Sequence, residues 1–297
     1  MRVTIQHLRD MKRRQERFSM LTAYDYPMAR LLDEVGVPVL LVGDSLGNVV
    51  LGFETTLPVT LEDVIRHTQA VVRGSHQALV VADMPFMSFQ VSAEEAIRNA
   101  GRLLKEGGAH AVKMEGGVTI APTIRRLVDV GIPVMGHIGL TPQSVHQMSG
   151  YKIQGKTVSA ATRLLADATA LEDAGAFSIV LEGVTSQIAR RITETVSVPT
   201  IGIGAGPECD GQVQVITDLL GLFTERSPKH ARRYADLAPV IQDAVKRYMA
   251  DVSDGSFPTV KESFSMDERV LAELGEGPAT ASQPAAPELG AYAPQRA

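Results

Sequence analysis

Eight short apolar segments recur along the chain, and each is followed by a polar or glycine-containing turn and then by a helix-like stretch. The segments are rich in Val, Ile and Leu, and their apolar residues are mostly continuous rather than alternating with polar ones. Continuous apolar strands are typical of parallel sheets that are covered on both faces. The eight predicted strands lie at 18–25, 38–45, 78–84, 109–116, 132–139, 176–183, 198–206 and 212–221.

Amphipathic helices are predicted between these strands, for example over 60–74, 92–108 and 159–176. Ser92 and Glu95 form the S-x-x-E pattern of a capping box, which marks the start of a helix. Strands that alternate with helices form either a closed parallel barrel or an open doubly wound sheet. The count of eight strands favours a (β/α)₈ barrel, and 297 residues is a normal length for one such domain.

The composition changes near the C-terminus of the chain. Residues 230–250 have apolar side chains at helical spacing, and we interpret them as the last helix of the barrel. We therefore predict a single barrel domain over 1–264, including an N-terminal and a C-terminal helix. After Phe264 the chain becomes acidic and rich in Pro and Ala, so we expect a disordered tail over 265–297 that begins with a short helix over Met266–Leu274.

The charge and the apolar content exclude several classes of protein. A formal net charge of −5 gives no electrostatic reason to expect nucleic acid as a partner. No apolar run approaches the roughly 20 residues that cross a bilayer, and the charged N-terminus does not resemble a secretory signal. A single cysteine, Cys209, excludes an intramolecular disulfide and a cysteine-rich zinc site. We expect a soluble cytoplasmic protein that binds neither nucleic acid nor a membrane.

Ionisable side chains fall at or near the ends of five successive predicted strands. They are Asp44, Asp83, Glu115, His137 and Glu182. All strand C-termini of a (β/α)₈ barrel point to one face, where the active sites of such enzymes lie. Any one acid at a strand end can equally be the start of a loop or a helix cap. Five in succession are harder to explain in that way, so we predict that they meet at the mouth of the barrel.

Carboxylates that are crowded together need a counter-charge, or some of them must take up a proton. Lys113, two residues before Glu115, supplies one positive charge at the same mouth. Mg²⁺ suits a set of one to three carboxylates, with water and substrate completing its octahedron, whereas zinc would call for several His or Cys ligands. The sequence therefore indicates a Mg²⁺-like cation. His137 has no metal-binding motif around it and could instead form a hydrogen bond with a substrate.

Five blocks of the sequence closely resemble the ketopantoate hydroxymethyltransferase family. The resemblance runs in order from about Val3 to Phe264, which is nearly the whole predicted barrel. The blocks are LVGDSLGNVVLGFETTLPVTLEDVIRHTQAV, VVADMPFMSF, AVKMEGG, PVMGHIGLTPQSVHQMSGYKIQGKT and TIGIGAG with a later DGQ. The resemblance implies a (β/α)₈ TIM barrel of the phosphoenolpyruvate/isocitrate lyase-like type.

The resemblance also implies a reaction. Members of the family transfer a hydroxymethyl group from 5,10-methylenetetrahydrofolate to 3-methyl-2-oxobutanoate, through a Mg²⁺-stabilised enolate. The products are 2-dehydropantoate and tetrahydrofolate, and the reaction is the first committed step toward pantothenate and coenzyme A. The implied assembly is a homodecamer of two stacked pentameric rings.

Individual roles follow from the matched positions. The implied Mg²⁺ ligands are Asp44, Asp83 and Glu115. The implied contacts to the 2-oxo acid are Asp44, Ser45, Asp83 and Lys113. His137 is predicted as a further contact because of its position at the mouth of the barrel. Glu182 matches the catalytic base that removes the proton from C3 of the substrate.

Two other interpretations remain at this stage. A 2-oxo acid lyase of the isocitrate lyase and phosphoenolpyruvate mutase type would share the barrel and the acidic metal site. Such lyases are typically marked by a K-K-C-G-H-type cysteine loop, and this chain offers only Cys209. A barrel kept as a non-enzymatic scaffold is disfavoured, because a decayed site should have lost at least one of its ionisable residues.

Overall fold

Eight strands form one closed parallel barrel, in which the order around the barrel is the order along the chain. The strands are β1 (Phe18–Thr22), β2 (Val39–Val42), β3 (Leu79–Asp83), β4 (Ala111–Glu115), β5 (Val134–Gly139), β6 (Ser178–Glu182), β7 (Thr200–Ile203) and β8 (Gly211–Gln214). The barrel closes where β1 pairs with β8, with Phe18 opposite Gly211 and Leu21 opposite Gln214. The predicted fold is confirmed.

Helices connect the strands and extend beyond them. This computed structural model describes residues 2–223 and 228–274, which divide into two compact units after Pro239. The α-helices are α1 (Ile5–Arg13), α2 (Tyr26–Glu34), α3 (Leu46–Val49), α4 (Leu61–Gly74), α5 (Ala93–Lys105), α6 (Ala121–Asp129), α7 (Val158–Asp173), α8 (Ser186–Thr195), α9 (Ile216–Leu220), α10 (Leu237–Asp254) and α11 (Glu268–Glu273). None of the helices in the described residues is long and apolar enough to cross a membrane.

The eighth predicted strand differs from the observed structure in its second half. The apolar segment 212–221 was predicted to be one strand, but β8 ends at Gln214 and α9 begins at Ile216. Thr22 Oγ1 accepts a hydrogen bond from the backbone N–H of Ile216 at 2.9 Å, and Gly221 ends the helix in the left-handed conformation. A short apolar run has no periodicity that distinguishes a strand from a buried helix, so the strand prediction was wrong for the second half of this segment.

Successive residues of each strand point to opposite faces of the sheet, and both faces are buried. In β2, Val39 and Leu41 point into the barrel, whereas Leu40 and Val42 face the surrounding helices. The residues that fill the barrel are Leu8, Phe18, Met20, Val39, Leu41, Leu79, Val81, Ala111, Met135, Phe177, Val180, Ile201 and Val213. This double burial explains why the strand segments read as continuously apolar.

Helix α1 covers the N-terminal end of the barrel. Its Leu8 is fully buried among the residues that fill the interior. Polar contacts hold the segment in place: Arg2 donates hydrogen bonds to the backbone oxygens of Ala78 and Ser75, and Lys12 pairs with Asp210 at 2.8 Å. Since this end is closed, a cavity can open only at the other end, where the strands have their C-termini.

The C-terminal helices lie close to where the sequence predicts them. Of the helix predicted over 230–250, only the part from Leu237 onward is helical, as α10, which continues to Asp254, and α11 lies within the predicted Met266–Leu274. The apolar residues of α10 are about half exposed or more, namely Val240, Ile241, Val245, Tyr248, Met249 and Val252. Most of the tail expected over 265–297 lies outside the described residues, and the domain boundary at 264 stays a prediction.

Replacing Leu8 by Ala should destabilise the barrel without changing its open end. Leu8 fills a site surrounded by apolar side chains, so its truncation leaves a cavity and should lower the free energy of unfolding by about 3 kcal/mol. Chemical denaturation measures this loss. The matched control is Leu31→Ala on α2, where the side chain is 58% exposed and little change is expected. Equal destabilisation by the two variants would contradict the interior role of Leu8.

Candidate active site

The seven residues singled out from the sequence line one cavity at the C-terminal end of the barrel. The cavity has a volume of about 1110 Å³. Its walls include Asp44, Ser45, Asp83, Lys113, Glu115, His137 and Glu182. The structure therefore brings together side chains that are up to 138 positions apart in the sequence, from Asp44 to Glu182.

Strand alternation directs most of these side chains inward. Lys113 and Glu115 lie on the inward face of β4, in phase with the apolar residue that fills the barrel below them. Asp83, His137 and Glu182 follow the same alternation on β3, β5 and β6. Each side chain thus takes its direction from the strand that carries it, because a shift of one residue would turn it toward the helices.

Asp44 and Ser45 reach the cavity in a different way. They follow the end of β2 and precede the short helix α3, for which Ser45 is the N-terminal flanking residue. The Ser45 hydroxyl lies 2.8 Å from the hydroxyl of the buried Tyr24, which fixes its position. Asp44 is only 4% exposed, so its carboxylate belongs to the site and not to a solvated loop.

Asp83 is the most constrained of the acids. Its Oδ2 accepts the backbone N–H of Asp44 at 3.1 Å and lies 2.9 Å from Nζ of Lys113. Burial raises the pKa of Asp83 to about 7, and the nearby Asp44 adds to the rise, although Lys113 opposes it. Burial likewise raises the pKa of Asp44, with Glu115 adding to the effect. The site holds more negative charge than Lys113 alone stabilises.

His137 lies between the acidic cluster and Glu182. Its Nδ1 is 3.1 Å from Nζ of Lys113, and its Nε2 is 3.2 Å from Oε2 of Glu182. Burial and the Lys113 charge both lower the pKa of His137, but Glu115 and Glu182 outweigh them and raise it to about 9. The two flanking carboxylates therefore favour the protonated imidazole, whose Nε2 faces Glu182 at ion-pair distance.

Gln143 is a part of the site to which the sequence analysis assigned no role. Its backbone N–H donates to Oε2 of Glu115 at 3.0 Å, and its side-chain Nε2 donates to Oδ2 of Asp44 at 3.0 Å. A neutral amide in a loop has no charge or metal-ligand pattern to draw attention. The available signal was its position, six residues after His137, in the loop that leaves the mouth of the barrel.

Two buried carboxylate oxygens have unused capacity to bind a cation. Asp83 Oδ1 and Glu115 Oε1 are fully buried and have no hydrogen-bond partner among the residues that the structure describes. Oxygen ligands of this kind suit Mg²⁺, which needs only one or two carboxylates when water and substrate complete its shell. Within residues 2–223 and 228–274, however, no three Asp, Glu, His or Cys side chains are gathered into a complete metal site. The donor chemistry fits, while the Lys113 ammonium contacts Asp83 in this conformation.

Solved structures with a similar fold include phosphonopyruvate hydrolase in complex with oxalate and Mg²⁺, with a TM-score of 0.56 and 13% identity. That match covers 93% of this chain and 95% of the other. Another is 2,3-dimethylmalate lyase of the PEP mutase/isocitrate lyase superfamily, with a TM-score of 0.55 and 18% identity over 93% and 95% of the two chains. At such low identity the likeness concerns the fold alone, and it confirms the predicted lyase-like type of barrel.

The family model of ketopantoate hydroxymethyltransferase matches residues 2–260. A 3-methyl-2-oxobutanoate hydroxymethyltransferase of Dehalococcoides mccartyi is 60% identical over 274 residues, covering 92% of this chain and 97% of the relative. Proteins of the same name are 55% identical in Syntrophomonas wolfei, over 92% of this chain and 99% of the relative, and 56% identical in Roseiflexus sp., over 93% and 99%. The chain therefore belongs to the ketopantoate hydroxymethyltransferase family.

Proposed function

We propose that this enzyme forms an enolate of 3-methyl-2-oxobutanoate and joins it to the one-carbon unit of 5,10-methylenetetrahydrofolate. The products are 2-dehydropantoate and tetrahydrofolate, and the reaction is the first step of pantothenate biosynthesis. The observation that carries the proposal is the placement of Glu182 and the acidic cluster with Lys113 on the wall of one cavity. The names of the relatives support the choice of substrate.

The difficult step is the removal of a proton from C3, because a carbon next to a ketone is a weak acid. Negative charge then develops on the 2-oxo oxygen and must be stabilised. We propose Mg²⁺ at Asp44, Asp83 and Glu115, where it would supply a Lewis acid for that charge. The proposal is supported by two buried oxygens, on Asp83 and Glu115, that accept no hydrogen bond within the described residues.

Lys113 and Ser45 are suited to hold the substrate carboxylate. The pKa of Lys113 is raised: burial lowers it, but Asp83, Glu115 and Asp44 outweigh that effect, so the side chain stays an ammonium. Ser45 has a hydroxyl within hydrogen-bond distance of Tyr24 and can donate its own proton outward when Tyr24 donates to it. Together they would place the 2-oxo group over the acidic cluster.

Glu182 is the proposed base. Its side chain is 20% exposed, more than that of Glu115 at 3%, so it can reach a substrate carbon in the cavity. His137 Nε2 lies 3.2 Å from Oε2 of Glu182, an ion-pair contact that does not engage Oε1. After proton removal, the carbon nucleophile attacks the one-carbon unit of the folate. A cavity of about 1110 Å³ exceeds what a five-carbon acid fills and leaves room for that donor.

The lyase alternative has little support in the site. Cys209 is buried and comes two residues before β8 begins, which places it near the N-terminal end of the barrel. A cysteine loop that acts at the mouth would have to lie after a strand and not before one. The similarity to 2,3-dimethylmalate lyase therefore stays a similarity of fold.

We also propose that the enzyme is a cytoplasmic homodecamer, built as a dimer of pentamers. The exposed apolar side chains of α10 support self-association, since a row of this kind usually marks an interface. Light scattering should give a particle of about ten chains of 31.9 kDa each. A monomer at micromolar concentration would contradict the assembly and leave the proposed chemistry untouched.

Replacing Glu182 by Gln should abolish the exchange of the C3 proton of 3-methyl-2-oxobutanoate into D₂O. The amide cannot accept the proton, so we expect the exchange rate to fall by about 100-fold or more. Proton NMR measures the exchange without the folate. Binding of the 2-oxo acid should persist, and Glu194→Gln at an exposed position of α8 is the matched control. Unchanged exchange would remove Glu182 as the base.

Replacing Asp83 by Asn should weaken Mg²⁺ binding by more than about tenfold, because a charged oxygen ligand is lost. Calorimetric titration of the metal-free protein measures the affinity. Asp129→Asn, at an exposed position of α6, should leave it unchanged. If the wild-type enzyme keeps full activity in excess chelator, the metal proposal is wrong as a whole.

A further inference from the structure

We infer that Gln143 is a positioning residue that fixes the metal cradle, defined here as Asp44, Asp83 and Glu115, before a cation binds. The inference rests on the proposed function, because it takes the cradle to be the metal site. Gln143 is only 5% exposed, and it lies in the single 3₁₀ turn Pro142–Ser144 of the loop after β5. It follows the C-terminal end of a strand, as Asp44 and Ser45 do after β2.

Gln143 connects three separate strand ends. Its backbone N–H holds Glu115 on β4, and its Nε2 holds Asp44 after β2, each at 3.0 Å. The same Nε2 donates to the backbone oxygen of Met84, at 3.0 Å, just after β3, which lies between the other two strands. One residue therefore sets the spacing of two carboxylates that do not lie on neighbouring strands.

The primary amide is the group that this position requires. Its two N–H bonds point to two oxygens, those of Asp44 and Met84, while its Oε1 accepts from Nε2 of Gln90 at 3.2 Å. A flipped amide would place an oxygen against two oxygens, so the contacts determine the orientation. A Glu side chain would repel Asp44, and a Lys side chain would compete with the cation. An amide orients the carboxylates and adds no charge.

In both Glu115 and Asp83, hydrogen bonds hold one carboxylate oxygen and leave the other available for a cation. Oε2 of Glu115 accepts the Gln143 N–H, whereas its buried Oε1 accepts no hydrogen bond from the described residues and lies 3.4 Å from Nδ1 of His137. In Asp83 the backbone N–H of Asp44 and the Lys113 ammonium occupy Oδ2 and leave Oδ1. Carboxylates that are held in this way need little reorganisation when a cation binds, which increases its affinity.

The substitution Gln143→Met tests the side-chain contribution alone. Met has nearly the length and shape of Gln but no amide, and the backbone N–H to Glu115 remains. The matched control is Gln147→Met, at an exposed position of the same loop. Metal-free wild-type and variant proteins are titrated with Mg²⁺ by calorimetry, and with Mn²⁺ by the electron spin resonance signal of the free ion.

We expect Gln143→Met to raise the Kd for both cations by about 10- to 100-fold, and Gln147→Met to change it by less than about twofold. Steady-state assays should show a similar rise in the Mg²⁺ concentration for half-maximal rate, with kcat near the wild-type value at saturating Mg²⁺. A variant that merely disturbs the fold would lower kcat at every Mg²⁺ concentration.

A folded Gln143→Met protein with wild-type cation affinity would overturn the inference. If that variant does not fold, Gln90→Met serves in its place, because it removes the donor to Oε1 of Gln143 and, with it, the acceptor of the Phe89 backbone N–H at 3.3 Å. It should raise the Kd in the same direction by a smaller factor, and an unchanged Kd there would also count against the inference. Failure of the metal proposal looks different, since the wild-type protein itself would then bind neither cation.

Discussion

The closed parallel barrel forces one face of every strand into an interior that water cannot fill, and the site depends on that constraint. Below the mouth the inward positions hold apolar side chains such as Val81 and Met135. Two residues further along the same strands, the inward positions hold Asp83 and His137. The alternation that packs the core therefore also directs these two polar side chains into the cavity, and because they lie on strands and not on loops, packing limits their movement.

This placement has an electrostatic cost. Asp44, Asp83 and Glu115 are each at most 6% exposed, and burial opposes the charged form of every one of them. Lys113 offsets part of the cost through its contact with Asp83, and the N–H groups of Asp44 and Gln143 offset more. The remaining negative charge is what a divalent cation would balance. Three buried carboxylates around one ammonium suit the binding of a charged ligand and would be unfavourable in an apolar core.

The sequence predicted much of this because strand ends and charges are visible in it. Eight apolar segments indicated the barrel, and the acids at their ends indicated the mouth. The segment 212–221 misled, because Ile216 and its neighbours are apolar whether helical or extended. Gln143 was missed because an uncharged amide has meaning only through the partners that the fold brings to it. The exposure of the apolar side chains of α10 could not be predicted either, because helical spacing identifies an apolar face but not what covers it.

The contacts across the mouth join the acidic cluster and Glu182, the proposed base, into one charged network. Asp83 contacts Lys113 at 2.9 Å, Lys113 contacts His137 at 3.1 Å, and His137 contacts Glu182 at 3.2 Å. Interactions at these distances in a buried site are screened little by solvent. A positive charge placed at Asp83 would compete with the Lys113 ammonium for the same carboxylate, and in the proposed reaction the ammonium would then be available to the substrate carboxylate. Through Lys113 and His137 the same change would alter the electrostatic surroundings of Glu182, the proposed base.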